Sequence, residues 1–230
     1  MQGEGPPVVL IHGYIVNGDM WKKTTLYRSL IDAGYMVIVP DLRGNGLSDK
    51  PHNLAAYQND AEAKDIMALM QHLRFKKYDV VGYSRGAIIA ARLLVLDNNV
   101  GNAILGGMGA DFTDPNWIRP KMFKEAFAGQ SAKWPEIRQA VAYAKSTGAD
   151  TLALSLMQEA QPVTTTKSLK RIKNPVLVIS GNQDFDNGKA SELARLLPRS
   201  TLKIVPGTHN DTAASDDFAE AILQFLYLHQ

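Results

Sequence analysis

The chain has 230 residues, of which 45% are hydrophobic and 21% are charged, a balance typical of a folded globular protein. The chain contains 25 Lys and Arg residues against 23 Asp and Glu residues, so its formal net charge is only +2. That small excess, without a long basic run, argues against binding to nucleic acid or to an anionic membrane surface. The absence of cysteine excludes disulfides, thiolate metal sites and a cysteine nucleophile. No apolar run is long enough to span a bilayer, and the polar start has no visible signal peptide, which favours a cytoplasmic location.

Short apolar runs rich in strand-forming residues recur along the chain, and each ends in Gly, Pro or Asp. Such runs, bounded by turn residues, predict strands. The six predicted strands centre on Val8–Ile11, Met36–Val39, Val80–Val81, Ala103–Leu105, Val176–Ile179 and Leu202–Val205.

Helical patterns lie between these runs. Ile66, Leu69, Met70 and Leu73 repeat at helical spacing, and a second such pattern begins at Phe218. Strands alternating with helices predict an α/β protein whose mostly parallel sheet is covered by helices on both faces. Ligands of such sheets bind at the carboxyl ends of the strands, so the residues directly after each strand are the candidates for function.

The alternation is interrupted between the fourth and fifth predicted strands. Residues 112–168 contain three helical patterns, which begin near Asp114, Trp134 and Asp150, and no convincing strand. We interpret this segment as a helical cap inserted late in the chain.

The cap divides the prediction into two parts, a core formed by residues 1–111 and 169–230 and the cap at 112–168. The cap is rich in aromatic side chains, most of which we expect to pack against the core. The other aromatic side chains are candidates for lining a substrate pocket. The pocket candidates are Met108, which precedes the cap, and Trp117, Phe123 and Phe127 within it.

A nucleophile motif follows the third predicted strand. Residues 82–86 read Gly-Tyr-Ser-Arg-Gly and precede a helical pattern, which is the strand–turn–helix context of a nucleophile elbow. The glycines on either side allow strand and helix to approach closely. Ser84 is then presented at a helix N-terminus, where the dipole favours developing negative charge.

A serine hydroxyl needs a general base. Three of the five histidines are poorly placed: His72 on a helix, His229 at the chain end and His52 in a polar loop. His12 belongs to a His-Gly turn after the first strand. His209, directly after the last strand, is therefore the predicted base.

The base in turn needs a carboxylate that orients its imidazole. Asp184 lies at the end of the turn that follows the fifth predicted strand, and it is the preferred candidate. The alternatives left open by the sequence are Asp186, Asp211, Asp111 and Asp114.

Acyl transfer also requires hydrogen-bond donors for the oxyanion. The backbone N–H of Arg85, after the nucleophile, and that of Tyr14, after His12-Gly13, are the expected donors. The side chains of His12 and Tyr14 could serve either structure or function.

Taken together, these motifs resemble those of the α/β-hydrolase family over nearly the whole chain. The order Ser84, Asp184, His209 is the family's order, and His12-Gly13 and residues 41–48, Asp-Leu-Arg-Gly-Asn-Gly-Leu-Ser, resemble its turns. The resemblance implies an eight-stranded sheet with a cap after its sixth strand, and a structural role for residues 41–48.

The chain departs from the family pattern in three places. Only about seven residues precede the first predicted strand, so we expect the family's N-terminal hairpin to be absent or to have been removed. Either an exposed edge on that strand or a chain trimmed at its start would follow. Arg85 stands where an apolar residue is more frequent, and it could narrow the site or hold an anionic group. Ala87 replaces a frequent glycine.

The sequence therefore predicts a serine hydrolase that cleaves an ester-like acyl bond of a small to medium apolar substrate. No cofactor or metal is implied, because no His, Asp or Glu cluster has ligand spacing. The expected partner is this small molecule, and the oligomeric state is left open. Carbon–carbon bond hydrolysis, lactone opening and perhydrolysis by the same triad are alternatives, as is a ligand receptor of hydrolase shape with slow turnover.

Overall fold

A computed structural model describes residues 1–229, which fold around a single sheet of six strands. The strands are β1 (Pro7–Ile11), β2 (Met36–Ile38), β3 (Tyr78–Tyr83), β4 (Val100–Gly106), β5 (Val176–Gly181) and β6 (Ser200–Val205). Their order across the sheet is β2-β1-β3-β4-β5-β6, and every neighbouring pair is parallel. The α/β class predicted from the sequence is therefore confirmed.

The central strands are covered on both faces, which explains their continuous apolar runs. All six residues of β5 are buried, whereas β6, at the edge of the sheet, has four exposed residues of six. A strand buried on both faces has no alternating pattern to mark its ends. The sequence accordingly located the centre of β3 at Val80–Val81, although the strand is six residues long.

The sheet has six strands within residues 1–229 and not the eight that the family resemblance implied. No hairpin precedes β1 in this part of the chain. Instead, Gln2 forms an isolated antiparallel bridge with Val37, with N···O distances of 3.0 and 2.8 Å. The expectation of an exposed edge on the first strand was wrong, because β1 lies between β2 and β3 and the edge belongs to β2.

Helices cover both faces of the sheet. The helices are α1 (Asp19–Lys22), α2 (Thr25–Asp32), α3 (Ala61–His72), α4 (Arg85–Leu96), α5 (Ile118–Glu125), α6 (Arg138–Ser146), α7 (Thr151–Glu159), α8 (Thr166–Leu169), α9 (Ala190–Leu196) and α10 (Asp216–Leu228). One face of the sheet is packed by α3, α4, α8 and α9, and the other by α1, α2 and α10. In the described part of the chain, no helix combines the length and the apolar character that crossing a membrane requires.

The helical segment at 112–168 lies between β4 and β5 and contains α5, α6, α7 and all of α8 except its last residue. The Asp150 carboxylate accepts a hydrogen bond from the Ala153 N–H at 2.9 Å and caps α7, as its position in the sequence suggested. The start of α5 differs from the prediction, because the helix begins at Ile118 and Asp114 instead accepts a bond from the Asn116 N–H. The segment has its own hydrophobic cluster, into which Tyr14 and Tyr57 of the core also pack.

Candidate active site

Ser84 lies in a strained turn between β3 and α4. Its backbone has φ +55° and ψ −117°, a conformation that a residue with a side chain rarely adopts. The flanking glycines allow the close approach that this turn needs. A Cβ at Gly82 would lie 2.1 Å from the Gly86 carbonyl oxygen, and a Cβ at Gly86 would lie 2.2 Å from that of Ile11. The spacing of the motif is therefore a packing requirement.

Three side chains from three strand ends form one hydrogen-bonded chain. His209 Nε2 lies 3.0 Å from Ser84 Oγ, and His209 Nδ1 lies 2.8 Å from Asp184 Oδ2. The Asp184 side chain is only 3% exposed, so its charge is directed at the imidazole rather than at water. Because a carboxylate accepts, the bond to Asp184 fixes the proton on Nδ1 and leaves Nε2 free to accept the serine proton.

None of the alternative acids contacts His209. Asp186 is 52% exposed and lies 3.5 Å from Arg119, and the Asp211 carboxylate accepts a hydrogen bond from the Thr208 hydroxyl. Asp111 lies against the backbone of Gly188. Asp114 is exposed in the turn before α5.

Tyr83 supports the loop that carries His209, a role that no pattern in the sequence indicated. Its hydroxyl donates to the His209 carbonyl at 2.7 Å, and the two rings have centroids 5.4 Å apart. Burial raises the pKa of Tyr83, so the hydroxyl stays protonated and remains a donor. As the residue before the nucleophile, Tyr83 can contact the base only because β3 and β6 end at the same edge of the sheet.

The two backbone N–H groups expected to bind the oxyanion have no protein acceptor among residues 1–229. Neither Tyr14 N nor Arg85 N donates a hydrogen bond there, although nearly all buried amides are paired. The turn that carries Tyr14 passes close to the nucleophile, since a Cβ on Gly13 would lie 3.7 Å from Ser84 Cβ. Both amides are therefore available near Ser84.

His12 holds the peptide unit that carries the Tyr14 amide. Its Nδ1 donates to the Gly13 carbonyl at 2.7 Å, and its Nε2 accepts from the Leu42 N–H at 3.0 Å. In a trans peptide the C=O and N–H point in opposite directions, so holding the carbonyl of Gly13 also directs the N–H of Tyr14. Burial lowers the pKa of His12 from 6.5 to about 4, which keeps the ring neutral and both bonds intact.

We expect His12 to make the protein sensitive to acid. Because its pKa is 6.5 unfolded and about 4 folded, protons bind the unfolded chain preferentially as the pH falls between these values. By linkage, this one group removes about 3 kcal/mol of the free energy of unfolding by pH 4. Urea denaturation at pH 7 and pH 4 should show that His12→Asn loses about 3 kcal/mol less than the unmodified chain. Equal losses would contradict this prediction.

The pocket candidates fall into two groups. Phe123 and Phe127 pack edge-on around the Tyr14 ring, with centroids 5.3 and 5.5 Å away. The Tyr14 hydroxyl donates to the Leu154 carbonyl at 2.6 Å and so attaches the turn that follows β1 to α7. Met108 and Trp117 lie elsewhere, against the hydrophobic cluster on one face of the sheet.

The Arg85 side chain directs four hydrogen bonds at internal partners, which leaves one of its five N–H donors without a protein acceptor among residues 1–229. It is 3% exposed and forms a salt bridge with Glu62, which is equally buried. It also donates to the Gln161 side chain and, at 3.1 Å, to the Met157 carbonyl. The sequence did not identify Glu62, although an arginine that begins the apolar helix α4 requires a buried acceptor.

Metal binding has no obvious basis in this arrangement. Within residues 1–229, no three His, Cys, Asp or Glu side chains are grouped so that they could hold a metal ion. A serine, a histidine and a carboxylate that are hydrogen-bonded in this order can carry out acyl transfer.

Comparison with known proteins places this site in a family context. The chain is 39% identical over 90 residues to the AB hydrolase superfamily protein YfhM of Bacillus subtilis, a match that covers 39% of this chain and 31% of that protein. It is 26% identical over 261 residues to the non-heme chloroperoxidase CPO-A1 of Kitasatospora aureofaciens, with 97% and 93% of the two chains covered. The match spans about a third of the length of YfhM and of a second curated relative, the putative non-heme chloroperoxidase of Synechocystis.

Comparison with solved structures finds the same fold. An esterase from Exiguobacterium antarcticum superposes with a TM-score of 0.81 at 23% identity, covering 98% of this chain and 93% of that one. At this identity the likeness establishes the fold alone. The family model for the alpha/beta hydrolase fold matches residues 6–158, about two thirds of the chain. The chain therefore belongs to the α/β-hydrolase family.

Proposed function

We propose that this α/β hydrolase is a serine hydrolase that cleaves an ester-like acyl bond. The observation that carries the proposal is the hydrogen-bonded chain from Asp184 through His209 to Ser84, beside two unpaired backbone N–H groups. A nucleophile, a base, an orienting acid and oxyanion donors are the parts that acyl transfer requires.

The geometry supports a two-step mechanism. Ser84 Oγ attacks the carbonyl carbon while its proton moves to His209 Nε2, and the resulting oxyanion accepts hydrogen bonds from the Tyr14 and Arg85 amides. The protonated His209 then gives this proton to the departing alcohol as the carbon–oxygen bond breaks, which leaves an acyl-enzyme. Water attacks the acyl-enzyme, with His209 again accepting the proton, and releases the acid and the free serine.

The serine at the elbow separates this proposal from some relatives. Among the proteins similar to this chain are an epoxide hydrolase and a fluoroacetate dehalogenase, and members of those branches resemble this fold but use aspartate as the nucleophile. The remaining alternatives are carbon–carbon bond hydrolysis, lactone opening and perhydrolysis with the same side chains, or a receptor with slow turnover. A fluorophosphonate probe that labels Ser84 supports an enzyme, whereas an unlabelled protein favours the receptor.

A panel of p-nitrophenyl esters with rising acyl length tests the proposal and its apolar pocket. Each buried methylene contributes about 0.8 kcal/mol, so kcat/KM should rise about fourfold per carbon until the pocket is full. We expect the optimum at roughly four to eight carbons, because a cap of 57 residues encloses little volume.

Phe127→Leu should move this optimum by one or two carbons if the ring next to Tyr14 borders the acyl group. Leucine is used because removing the buried ring altogether costs about 3–5 kcal/mol of stability. Tyr143→Ala is the matched control, since that ring lies in the same segment but is half exposed. An optimum beyond twelve carbons, or one that Phe127→Leu leaves unmoved, would mean that the segment only covers the core.

A further inference from the structure

Two arginines, Arg85 and Arg119, lie near the proposed catalytic groups, and they differ in how many of their N–H donors have a protein acceptor. A guanidinium has five N–H donors. Arg85 directs its donors at Glu62 and at the helical segment and is closed off from solvent. Arg119 has a single hydrogen-bond contact in the described part of the chain, with Asp186 Oδ2 at 3.5 Å, which is the outer limit of such a bond.

Arg119 lies between the helical segment and the loop that carries the proposed acid. On one side its guanidinium stands over the Phe123 ring, 5.1 Å from the centroid, and Phe123 in turn packs against Tyr14. On the other side is Asp186, two residues after Asp184. The cation therefore lies between Phe123, which packs against the proposed oxyanion donor Tyr14, and the loop that carries the proposed acid.

The charge of Arg119 is only partly compensated. Its side chain is 28% exposed, and burial lowers the pKa of the guanidinium, while the carboxylates of Asp186 and Asp184 act in the opposite direction. Asp184 Oδ2 lies 2.8 Å from His209 Nδ1 and Asp184 Oδ1 accepts from the Asp186 N–H at 3.3 Å, and among residues 1–229 the carboxylate forms no ion pair with Arg119. Asp186 is half exposed, and exposed ion pairs contribute only about 0–1 kcal/mol.

We infer that Arg119 binds a carboxylate on the substrate, so that the preferred substrates are acidic esters such as hemiesters of small dicarboxylic acids. A carboxylate can accept two parallel hydrogen bonds from a guanidinium, which is a stronger arrangement than the single long contact to Asp186. The inference rests on the proposed ester hydrolysis and adds a terminal carboxylate to the apolar acyl chain expected from the sequence. It also assigns to Arg119 the anion-binding role that the sequence suggested for Arg85.

The test compares two esters of similar size, mono-p-nitrophenyl adipate and p-nitrophenyl heptanoate, which differ mainly in the terminal carboxylate. The measured quantity is the ratio of their kcat/KM values, adipate over heptanoate. Arg119→Met should lower this ratio about 10- to 100-fold, the usual effect of losing hydrogen bonds to a charged group. Asp186→Asn should raise it about 3- to 10-fold, because it removes both a competitor for Arg119 and a repelling charge.

Lys121→Met is the matched control, since Lys121 is an exposed cation on the same helix α5. It should change the ratio less than twofold, because exposed charges are screened by solvent and salt. An unchanged ratio in Arg119→Met, or a fall as large in Lys121→Met, would overturn the inference while leaving heptanoate hydrolysis, and thus the proposed function, intact.

Equilibrium binding separates this inference from the fate of the proposed function. In Ser84→Ala protein, calorimetric titration should show that monoethyl adipate binds at least about tenfold more tightly than ethyl heptanoate, and that adding Arg119→Met abolishes the difference. Equal affinities for the two ligands would overturn the inference even if no ester is turned over. Hydrolysis of neither ester by the unmodified chain, with this binding difference intact, would instead contradict only the proposed function.

Discussion

Ser84→Ala should lower kcat for p-nitrophenyl ester hydrolysis by about 10⁶-fold, as the loss of the nucleophile does in a serine protease. The substitution removes Ser84 Oγ, which lies 3.0 Å from His209 Nε2. Alanine occupies the same strained turn at no greater steric cost than serine, so the thermal midpoint and the circular dichroism spectrum should be unchanged. Steady-state kinetics with active-site titration measures the loss.

Ser155→Ala is the matched control for this experiment. Ser155 is a buried serine, and its hydroxyl donates to the Lys124 carbonyl at 2.9 Å inside the helical segment. Loss of that bond costs about 1 kcal/mol of stability and should leave kcat within about twofold. If Ser84→Ala instead kept more than about a tenth of the activity, the nucleophile would be another group.

The sequence predicted the centres of the strands and the Ser, Asp and His candidates because these signals are local. A strand that ends in glycine or aspartate and the Gly-x-Ser-x-Gly spacing around Ser84 can be identified within ten residues. The parallel order of the sheet then brings the residues after β3, β5 and β6 to one edge. For this reason, Ser84 and His209 can be paired from the sequence although 125 positions separate them.

The surroundings of the candidate site depend on packing between distant segments and could not be predicted in the same way. Glu62 becomes the partner of Arg85 only when α3 packs beside α4, and its own neighbourhood in the sequence is an ordinary amphipathic helix. The role proposed for Arg119 was not predicted, because it rests on how few acceptors its N–H groups have in the folded chain. Whether a charged side chain has enough partners is a property of the folded structure, and no spacing in the sequence reveals it.

The number of strands implied by the family resemblance was wrong for a different reason. Eight strands were implied by the family resemblance and not by any pattern in the residues before Pro7. In the structure this stretch contributes the bridge between Gln2 and Val37, and the edge falls on β2. A resemblance predicts the common core well and is least secure at the margins of the fold.

Asp184→Asn should lower kcat by roughly 10³- to 10⁴-fold, less than the loss of the nucleophile, because the oxyanion donors and substrate binding remain. The physical cause is the hydrogen-bond direction at His209 Nδ1, 2.8 Å from Asp184 Oδ2. An asparagine that turns its NH₂ group toward Nδ1 favours the tautomer with the proton on Nε2. That nitrogen then cannot accept the proton of Ser84, and the imidazolium formed during attack loses its counter-charge.

The comparison with Asp186→Asn makes this prediction specific to one carboxylate. The two aspartates share a loop, but only Asp184 is buried against the imidazole, whereas Asp186 is half exposed and faces Arg119. With p-nitrophenyl heptanoate as a neutral substrate, Asp184→Asn should therefore cost at least about a hundredfold more in kcat than Asp186→Asn. Equal losses, or a larger loss in Asp186→Asn, would mean that the hydrogen bond between Asp184 and His209 is not the one that orients the base.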